Sequence, residues 1–226
     1  MFEIYIIDSK RHFFQNGLKL FKSFKSYFEN VFIISGLGID NSDKNLINCG
    51  NHNFVNAFNE VVRNVKNKYC VFVDSSLVIT NMNLILERLN FFKEYFYEKC
   101  GSYSFHTEGL RINNQLKNKI YSNVFQVNNH NLDFFIIDKS ILLDIGLVTC
   151  IPETDGEGLE FLISWSNLKN KKLTVLDESL YFNRLFCIPK NPENKIRDQR
   201  LWLFNQVKHA YDLNEDFFNF YKSQLV

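Results

Sequence analysis

The stretch YCVFVDSSLVIT, residues 69–80, decides how the first half of this chain folds. Its first five residues are aromatic, β-branched or otherwise apolar, which is typical of a strand that is buried on both faces. Asp74 follows directly, and then come two hydroxyl side chains, Ser75 and Ser76. A carboxylate at the end of a buried strand loses hydration, so it needs a partner that offsets this cost. Two kinds of partner are open at this point: the backbone of the following turn, or a bound ligand.

The sequence before this stretch alternates between strand and helix patterns. Strands are predicted at EIYIID (residues 3–8) and NVFIISG (residues 30–36), and helices at residues 13–28 and 53–67. This β-α-β-α-β order predicts an α/β fold with a mostly parallel, doubly wound sheet that is flanked by helices. Ligands of such sheets bind beyond the carboxyl ends of the strands. Asp8, Ser35 and Asp74 are all placed at such ends.

The second half of the chain is less regular. A helix is predicted at about residues 83–99, and another, LEFLISWSNLKN, continues from a start near Asp155. Strands are predicted at GSYSFHT (101–107), VFQV (124–127), LDFFIID (132–138) and KLTVLD (172–177). Residues 186–226 are rich in aromatic side chains and are predicted to form C-terminal helices. Since the sequence contains no repeat and no Pro- or Gly-rich linker, a single domain over residues 1–226 is expected.

Charge and cysteine content exclude several classes of function. Lys and Arg number 26 and Asp and Glu 25, so the net charge of +1 gives no electrostatic argument for a nucleic-acid partner. The five cysteines are widely spaced and lack a C-x-x-C pair, which indicates reduced thiols in the cytoplasm and no zinc site. No segment approaches the roughly 18 apolar residues of a membrane span. Peripheral contact with the inner face of a membrane, through the aromatic C-terminal segment, and a homo-oligomer both remain open.

Five stretches, in this order, resemble the inverting glycosyltransferases of family two, which have the GT-A fold. They are YIIDSKR, NFVNAFNEVV, VFVDSSLVIT, LDFFIIDKSILLDIG and DGEGLEFLISWSNLKNKKLTVLD. At three positions the chain differs from the family pattern. Ser76 stands in place of the second acid of the Asp-x-Asp motif, Gly158 in place of the Asp of the Glu-Asp pair, and Asp138 in place of a frequent Arg. Metal dependence and the identity of the catalytic base are therefore left open.

The resemblance implies a set of site residues. The catalytic base would be Glu157 first, with Asp155 and Glu160 as the other candidates. The nucleotide-sugar, a UDP-sugar as first choice, would contact Asp8, Ser9, Arg11, Ser35, Asn56, Asn59, Asp74 and Ser75. Mn²⁺ or Mg²⁺ would be held by Asp74 and Ser76. A metal-independent enzyme would instead neutralise the diphosphate with Arg11, Arg63, Arg184 or Lys190.

Helical spacing also places Glu157, Glu160, Ser164 and Asn167 on one polar stripe, which is expected to line a cleft. The other reading of these acids is a favourable interaction with a helix N-terminus. Asn56, Asn59 and Arg63 likewise fit either a binding face or an ordinary solvated helix face.

The implied function is transfer of a hexosyl group from a nucleotide-sugar to a glycan or a lipid-linked acceptor, in bacterial surface polysaccharide synthesis. Residues 1–100 would bind the donor, and residues 101–185 would supply the acceptor and catalytic half. A first alternative is a catalytically degenerate domain that binds a glycan or serves as an assembly partner. A second is a sugar nucleotidyltransferase, although the first strand lacks the Gly-rich, basic loop that cradles a triphosphate.

Overall fold

The computed structural model describes residues 2–8, 13–36, 44–50, 53–107, 118–128, 131–149 and 158–185. Within these ranges the chain forms one 10-stranded sheet with helices on both faces. The strands are β1 (Phe2–Asp8), β2 (Val31–Ser35), β3 (Leu46–Asn48), β4 (Tyr69–Asp74), β5 (Leu77–Val78), β6 (Cys100–Thr107), β7 (Asn118–Tyr121), β8 (Val124–Gln126), β9 (Phe134–Asp138) and β10 (Leu173–Arg184). The helices are α1 (Phe14–Lys25), α2 (Phe54–Asn64), α3 (Met82–Tyr95), α4 (Lys139–Ile145) and α5 (Leu159–Lys169).

The strand order is β3-β2-β1-β4-β9-β6-β10-β8-β7, and β5 pairs with β10. The first four strands of this order are parallel, as the alternating sequence pattern predicts. β10 is also parallel to β6, whereas β9 lies between β4 and β6 and runs antiparallel to both. The amino end of β9 therefore meets the carboxyl end of β4. This reversal, which the sequence pattern did not indicate, brings the segment before β9 to the ligand-binding edge of the sheet.

Alternation of side chains along the central strands divides the core into two layers. Phe72 and Phe135 point to the face that is covered by α2, α4 and α5, and their rings stack at 4.6 Å. Val71 and Phe134 point to the opposite face, which is covered by α1 and α3. Because both faces of the sheet are covered, β4 and β9 can consist almost entirely of apolar residues. The predicted doubly wound α/β architecture is confirmed.

The structure differs from the sequence prediction in the short and the edge elements. β3, β5 and β7 were not predicted, because they have only two to four residues and their side chains are mostly exposed or half-buried. β10 does not stop at Asp177, as predicted, but continues to Arg184, where it pairs with β5. Among the described residues no helix is both long and apolar enough to span a membrane. The predicted C-terminal helices of residues 186–226 lie outside the described residues.

Candidate functional site

The carboxyl ends of β1, β2 and β4 bring three buried polar side chains into contact. Asp8 and Ser35 are register partners, and the Ser35 hydroxyl donates to Oδ2 of Asp8 at 2.9 Å. The Ser75 hydroxyl donates to the other carboxylate oxygen, Oδ1, at 3.3 Å. All three side chains are buried, with at most 2% of their surface exposed. The sequence prediction that Asp8 and Ser35 share one edge of the sheet is confirmed, and Ser75 joins them.

Helix α1 holds the turn after β4 in place. The side-chain amide of Asn16 donates to the carbonyl oxygen of Ser75 at 2.6 Å and to that of Leu77 at 2.9 Å. Gly17, one residue further along α1, packs against this turn, where an added Cβ would lie 3.4 Å from the Cβ of Ser75. The conformation of the Asp74-Ser75-Ser76 turn is therefore set by a neighbouring helix as well as by the turn residues themselves.

Asp74 lies on the other face of the sheet, at the end of β4. Its Oδ1 accepts a hydrogen bond from the backbone N–H of Ser76 at 2.7 Å, so the carboxylate does cap the following turn. Burial, together with the negative charge of Asp133, raises the pKa of Asp74 above its usual range, although Ser76 and Arg184 act in the opposite direction. The turn therefore offsets only part of the cost of burying this carboxylate.

A second carboxylate, Asp133, lies beside Asp74, and sequence analysis did not identify it. The backbone N–H of Asp74 donates to the carbonyl oxygen of Asp133 at 2.7 Å. The guanidinium of Arg184, at the end of β10, forms an ion pair with Oδ2 of Asp133, and the Thr107 hydroxyl donates to the same oxygen. The Asp133 and Arg184 side chains keep 13% and 16% of their surface exposed, so a ligand at this edge can reach both.

Asn131 joins the segment before β9 to the end of β6, next to Asp133. Its amide donates to the carbonyl oxygen of Phe105 at 2.6 Å and to the Thr107 hydroxyl at 3.1 Å, and its Oδ1 accepts from the backbone N–H of Asp133 at 3.0 Å. The signal that could have pointed to Asp133 was its position directly before the apolar strand FFIID. That position falls at the carboxyl edge because β9 runs antiparallel to β4, which the sequence pattern did not indicate.

The polar residues of α2 are not brought together with Asp8 and Asp74 as a group. Asn59 is buried, and its amide donates to the carbonyl oxygen of Val148 at 2.9 Å and accepts from its N–H at 2.8 Å, which fixes the chain after α4. Arg63 pairs with Glu60 on an exposed surface. It lies nine residues along the helix from Phe54, roughly 13 Å towards the other edge of the sheet. Asn56, in the first turn, remains at the carboxyl edge.

Helix α5 covers the same face of the sheet that Asp74 occupies. It begins at Leu159, after Gly158 with a positive φ of 96°, and Oε2 of Glu160 accepts a hydrogen bond from the Gly158 N–H at 2.8 Å. Glu160 therefore caps the first turn of its own helix. Five further candidates from the sequence lie outside the described residues: Ser9, Arg11, Asp155, Glu157 and Lys190.

The polar stripe expected on α5 does not line a cleft in its described part. Ser164 and Asn167 keep only 4% and 1% of their surface exposed. The Asn167 amide donates to the hydroxyls of Ser102 at 2.6 Å and Thr174 at 2.8 Å, which belong to β6 and β10. This prediction was wrong because the sheet itself carries hydroxyl groups here, so a polar helix stripe can be buried against it.

Asp138, which replaces the frequent Arg of the family pattern, lies at the opposite edge of the sheet. It is the register partner of Tyr69, at the start of β4, and is therefore roughly 17 Å from Asp74. Its Oδ1 accepts from the N–H of Ser140, which caps α4, and its Oδ2 pairs with Lys172. In this chain Asp138 is a structural residue of the amino edge.

The oxygen donors at the carboxyl edge suit a hard divalent cation only in part. Asp74 and Asp133 offer two neighbouring carboxylates, and Ser76 adds a hydroxyl. The described residues contain no group of three or more His, Cys, Asp or Glu side chains that could hold a metal ion. An ion at this place would need further oxygen ligands from a diphosphate and from water, as Mg²⁺ commonly does. Arg184 already places one positive charge at the same position.

No family model and no curated protein matches this sequence. Solved structures do match. Glucosyl-3-phosphoglycerate synthase from Mycobacterium tuberculosis, in complex with Mg²⁺ and uridine diphosphate, has a TM-score of 0.56 and 7% identity, over 95% of this chain and 80% of that one. TarS from S. aureus, in complex with UDP-GlcNAc, has a TM-score of 0.56 and 13% identity, over 99% of this chain and 71% of that one. The chain therefore has the GT-A type of fold that glycosyltransferases use.

Proposed function

We propose that this protein is a glycosyltransferase that moves a sugar from a nucleotide-sugar, a UDP-sugar first, to a glycan or a lipid-linked acceptor. The observation that carries the proposal is the cluster of Asp74, Asp133 and Arg184 at the carboxyl edge of a GT-A sheet. Solved structures with the same fold hold uridine diphosphate or UDP-GlcNAc. Membership of family two, inversion at the anomeric carbon and a role in bacterial surface polysaccharide synthesis are parts of the same proposal.

The donor would lie along the carboxyl ends of the first strands. The base and ribose would be contacted by Asp8, Ser9, Arg11 and Ser35, because these polar side chains can donate hydrogen bonds to both groups and accept hydrogen bonds from them. Ser75 already donates to Asp8 and so keeps that carboxylate oriented. Asn56 and Asn59 would border the site from α2, with Asn59 acting through the backbone of Val148.

The leaving diphosphate requires positive charge beside Asp74. Mn²⁺ or Mg²⁺, held by Asp74 with Asp133 and Ser76, would supply it by stabilising the negative charge that develops on the diphosphate. Arg184 supports a metal-independent version, because its guanidinium can bind phosphate oxygens bidentately. In that version Asp133 positions the guanidinium, and Arg63 plays no part because it lies toward the other edge of the sheet.

Transfer to an acceptor hydroxyl requires a carboxylate that takes its proton on the face opposite the leaving group. Glu157 is the first choice, with Asp155 and Glu160 as alternatives. Helix α5 lies on the same face of the sheet as Asp74, and this position supports a catalytic base at or just before the start of the helix. Because Glu160 already caps Gly158, it is the weakest of the three candidates.

A second candidate function is a degenerate domain of the same fold that binds a glycan or an assembly partner without catalysis. The presence of Ser76 and Gly158 where the family has acids favours it. For either function, the proposal includes a single domain over residues 1–226 and a cytoplasmic location. It also includes peripheral contact with a membrane and a homo-oligomer.

The test is thermal stabilisation of the protein by UDP, GDP, CMP and dTDP, each with Mn²⁺ or with a chelator. A nucleotide at about a hundredfold its dissociation constant should stabilise the folded state by roughly 2.7 kcal/mol. We expect a rise in Tm with UDP, and its loss in chelator would indicate an ion at Asp74. If none of the four nucleotides raises Tm, the donor-site proposal is wrong and the non-catalytic candidate takes its place.

Glu157→Gln separates catalysis from binding. As the base takes no part in donor binding, the variant should keep the rise in Tm with UDP and lose transfer by about a hundredfold or more. Transfer would be followed as UDP release in the presence of a UDP-sugar and a glycan acceptor. Full activity of this variant would move the base to Asp155 or Glu160.

A further inference from the structure

A basic groove lies at the amino edge of the sheet, away from the donor site. It has a volume of about 500 Å³ and is lined by Lys66, Lys68, Asp138, Lys139, Ser140, Leu143 and Lys172. Four of these seven residues are lysines, in a chain whose net charge is only +1. The positive charge of the protein is therefore locally concentrated here, which raises the local concentration of anions.

The groove is built where three separate segments meet. Lys66 and Lys68 precede β4, Lys139 and Ser140 begin α4, and Lys172 precedes β10. The backbone N–H of Lys139 donates to the carbonyl oxygen of Lys68 at 2.7 Å, and its ammonium donates to the carbonyl oxygen of Lys66 at 3.3 Å. These two bonds join the segment before β4 to the start of α4 independently of any ligand.

Three carboxylates, Asp138, Glu98 and Glu3, lie near the groove against its four lysines, and Glu3 is buried and accepts from the backbone N–H of Lys66 at 3.0 Å. The Asp138 carboxylate keeps 3% of its surface exposed and is paired with Lys172, while the exposed Glu98 pairs with Lys68 on the rim at 2.7 Å. An exposed pair of this kind contributes little and exchanges readily with other ions. Among the described residues neither Lys66 nor Lys139 forms an ion pair with a carboxylate.

We propose that this groove binds a phosphate group. Ammonium groups act as point charges for phosphate, and several of them around one groove can contact several oxygens of the anion at once. Leu143, with 53% of its surface exposed, adds an apolar contact at the same groove. A phosphate at the head of an apolar chain, as in an anionic lipid, would meet both features, and a free phosphorylated molecule would use the lysines alone.

The groove and the donor site act independently in this proposal. β4 has six residues and separates the two edges by roughly 20 Å. A phosphate bound at Lys66 and Lys139 therefore leaves the edge with Asp8 and Asp74 accessible. The inference depends on the groove alone and would hold whether or not the carboxyl edge performs sugar transfer.

The test compares the double variant Lys66→Gln/Lys139→Gln with a matched control, Lys19→Gln/Lys22→Gln. The control removes two exposed lysines from α1, which packs on the opposite face of the sheet. One arm measures co-sedimentation with phosphatidylcholine vesicles, with and without phosphatidylglycerol. The other arm titrates inorganic pyrophosphate without nucleotide, and because both variants leave the carboxyl edge unchanged, any binding there contributes equally to the two signals.

We expect the groove variant to bind about 25-fold more weakly than the control, on the basis of about 1 kcal/mol for each lysine near an anionic surface. A loss confined to the phosphatidylglycerol vesicles identifies a lipid headgroup as the source of the phosphate. A loss confined to pyrophosphate identifies a free phosphorylated ligand. If the groove variant equals the control in both arms, or if the wild-type protein binds neither probe, the proposal is wrong.

Discussion

Asp74 carries a free-energy cost that its own turn does not fully offset. Its carboxylate is half-buried at the end of β4, and partial desolvation and the charge of Asp133 both raise its pKa. The hydrogen bond from Ser76 and the positive charge of Arg184 act against this rise without cancelling it. A group that is kept in a state unfavourable for stability is a candidate for binding, because a ligand can supply the missing compensation.

Asp74→Asn should therefore raise Tm at neutral pH and weaken UDP binding. The raised pKa means that the folded protein disfavours the charged form, so the stability of the wild type falls as pH rises from the unfolded pKa to the folded one. The asparagine removes this loss and keeps an oxygen for the N–H of Ser76. Loss of a charge-assisted contact costs about 1.5–3 kcal/mol, so UDP affinity should fall about tenfold or more. Thermal unfolding from acidic to neutral pH, with and without UDP, measures both effects.

Asp144→Asn is the matched control with the opposite sign. Although burial opposes it, hydrogen bonds from Lys169, Ser166 and Asn170 lower the pKa of Asp144. Its contribution is present above the unfolded pKa and is lost as pH falls through the folded pKa, so this variant should lower Tm at neutral pH. If Asp74→Asn also lowers Tm, the Asp74 carboxylate is a stabilising cap and not a binding group.

At the scale of elements, two glycines show how closely the helices approach the sheet. Gly17 lies in the interior of α1, where a Cβ would meet the Cβ of Ser75 at an ordinary 3.4 Å. Gly101 lies in β6, where a Cβ would overlap Oδ1 of Asn167 and come within 2.8 Å of its Cγ. The first glycine leaves room for a side chain, whereas the second is required by the contact of α5 with β6.

The same substitution should consequently have opposite effects at the two positions. Gly17→Ala should stabilise the protein by about 0.5–1 kcal/mol, because alanine loses less backbone entropy in a helix. Gly101→Ala should destabilise it by about 1–3 kcal/mol through overpacking. Urea unfolding measures both, and adding Asn167→Ala to the Gly101 variant should recover part of the loss. Equal effects at the two positions would contradict the packing of α5 described above.

At the scale of the whole molecule, a buried polar group joins α3, β6 and β10. Asp177 is completely buried, and its Oδ2 accepts from Nε of Arg88 at 2.7 Å and from the hydroxyl of Tyr103. Burial and the charge of Asp177 raise the pKa of Tyr103 far above its usual range, so this hydroxyl stays protonated and donates. The group connects the second half of the chain across the face that α1 and α3 cover.

Asp177→Asn should cost about 3–5 kcal/mol of stability, because it leaves the Arg88 guanidinium without its buried carboxylate. Denaturant unfolding measures this loss, and the midpoint should move with little change in slope. Glu98→Gln, which removes the exposed partner of Lys68, serves as the control and should leave the midpoint almost unchanged. A small effect of Asp177→Asn would mean that water replaces the carboxylate beside Arg88 and that this group does not hold α3 against β6 and β10.

The sequence by itself determined the elements of the first half and the placement of their terminal polar residues. Alternating strand and helix patterns require parallel strands, and parallel strands bring Asp8, Ser35 and Asp74 to one edge. Only the tertiary structure decided that Asp133 and Arg184 join Asp74. β9 runs antiparallel between β4 and β6, and β10 extends to pair with β5. Strand direction and pairing depend on contacts between segments that are distant in the chain, and no local pattern of side chains encodes them.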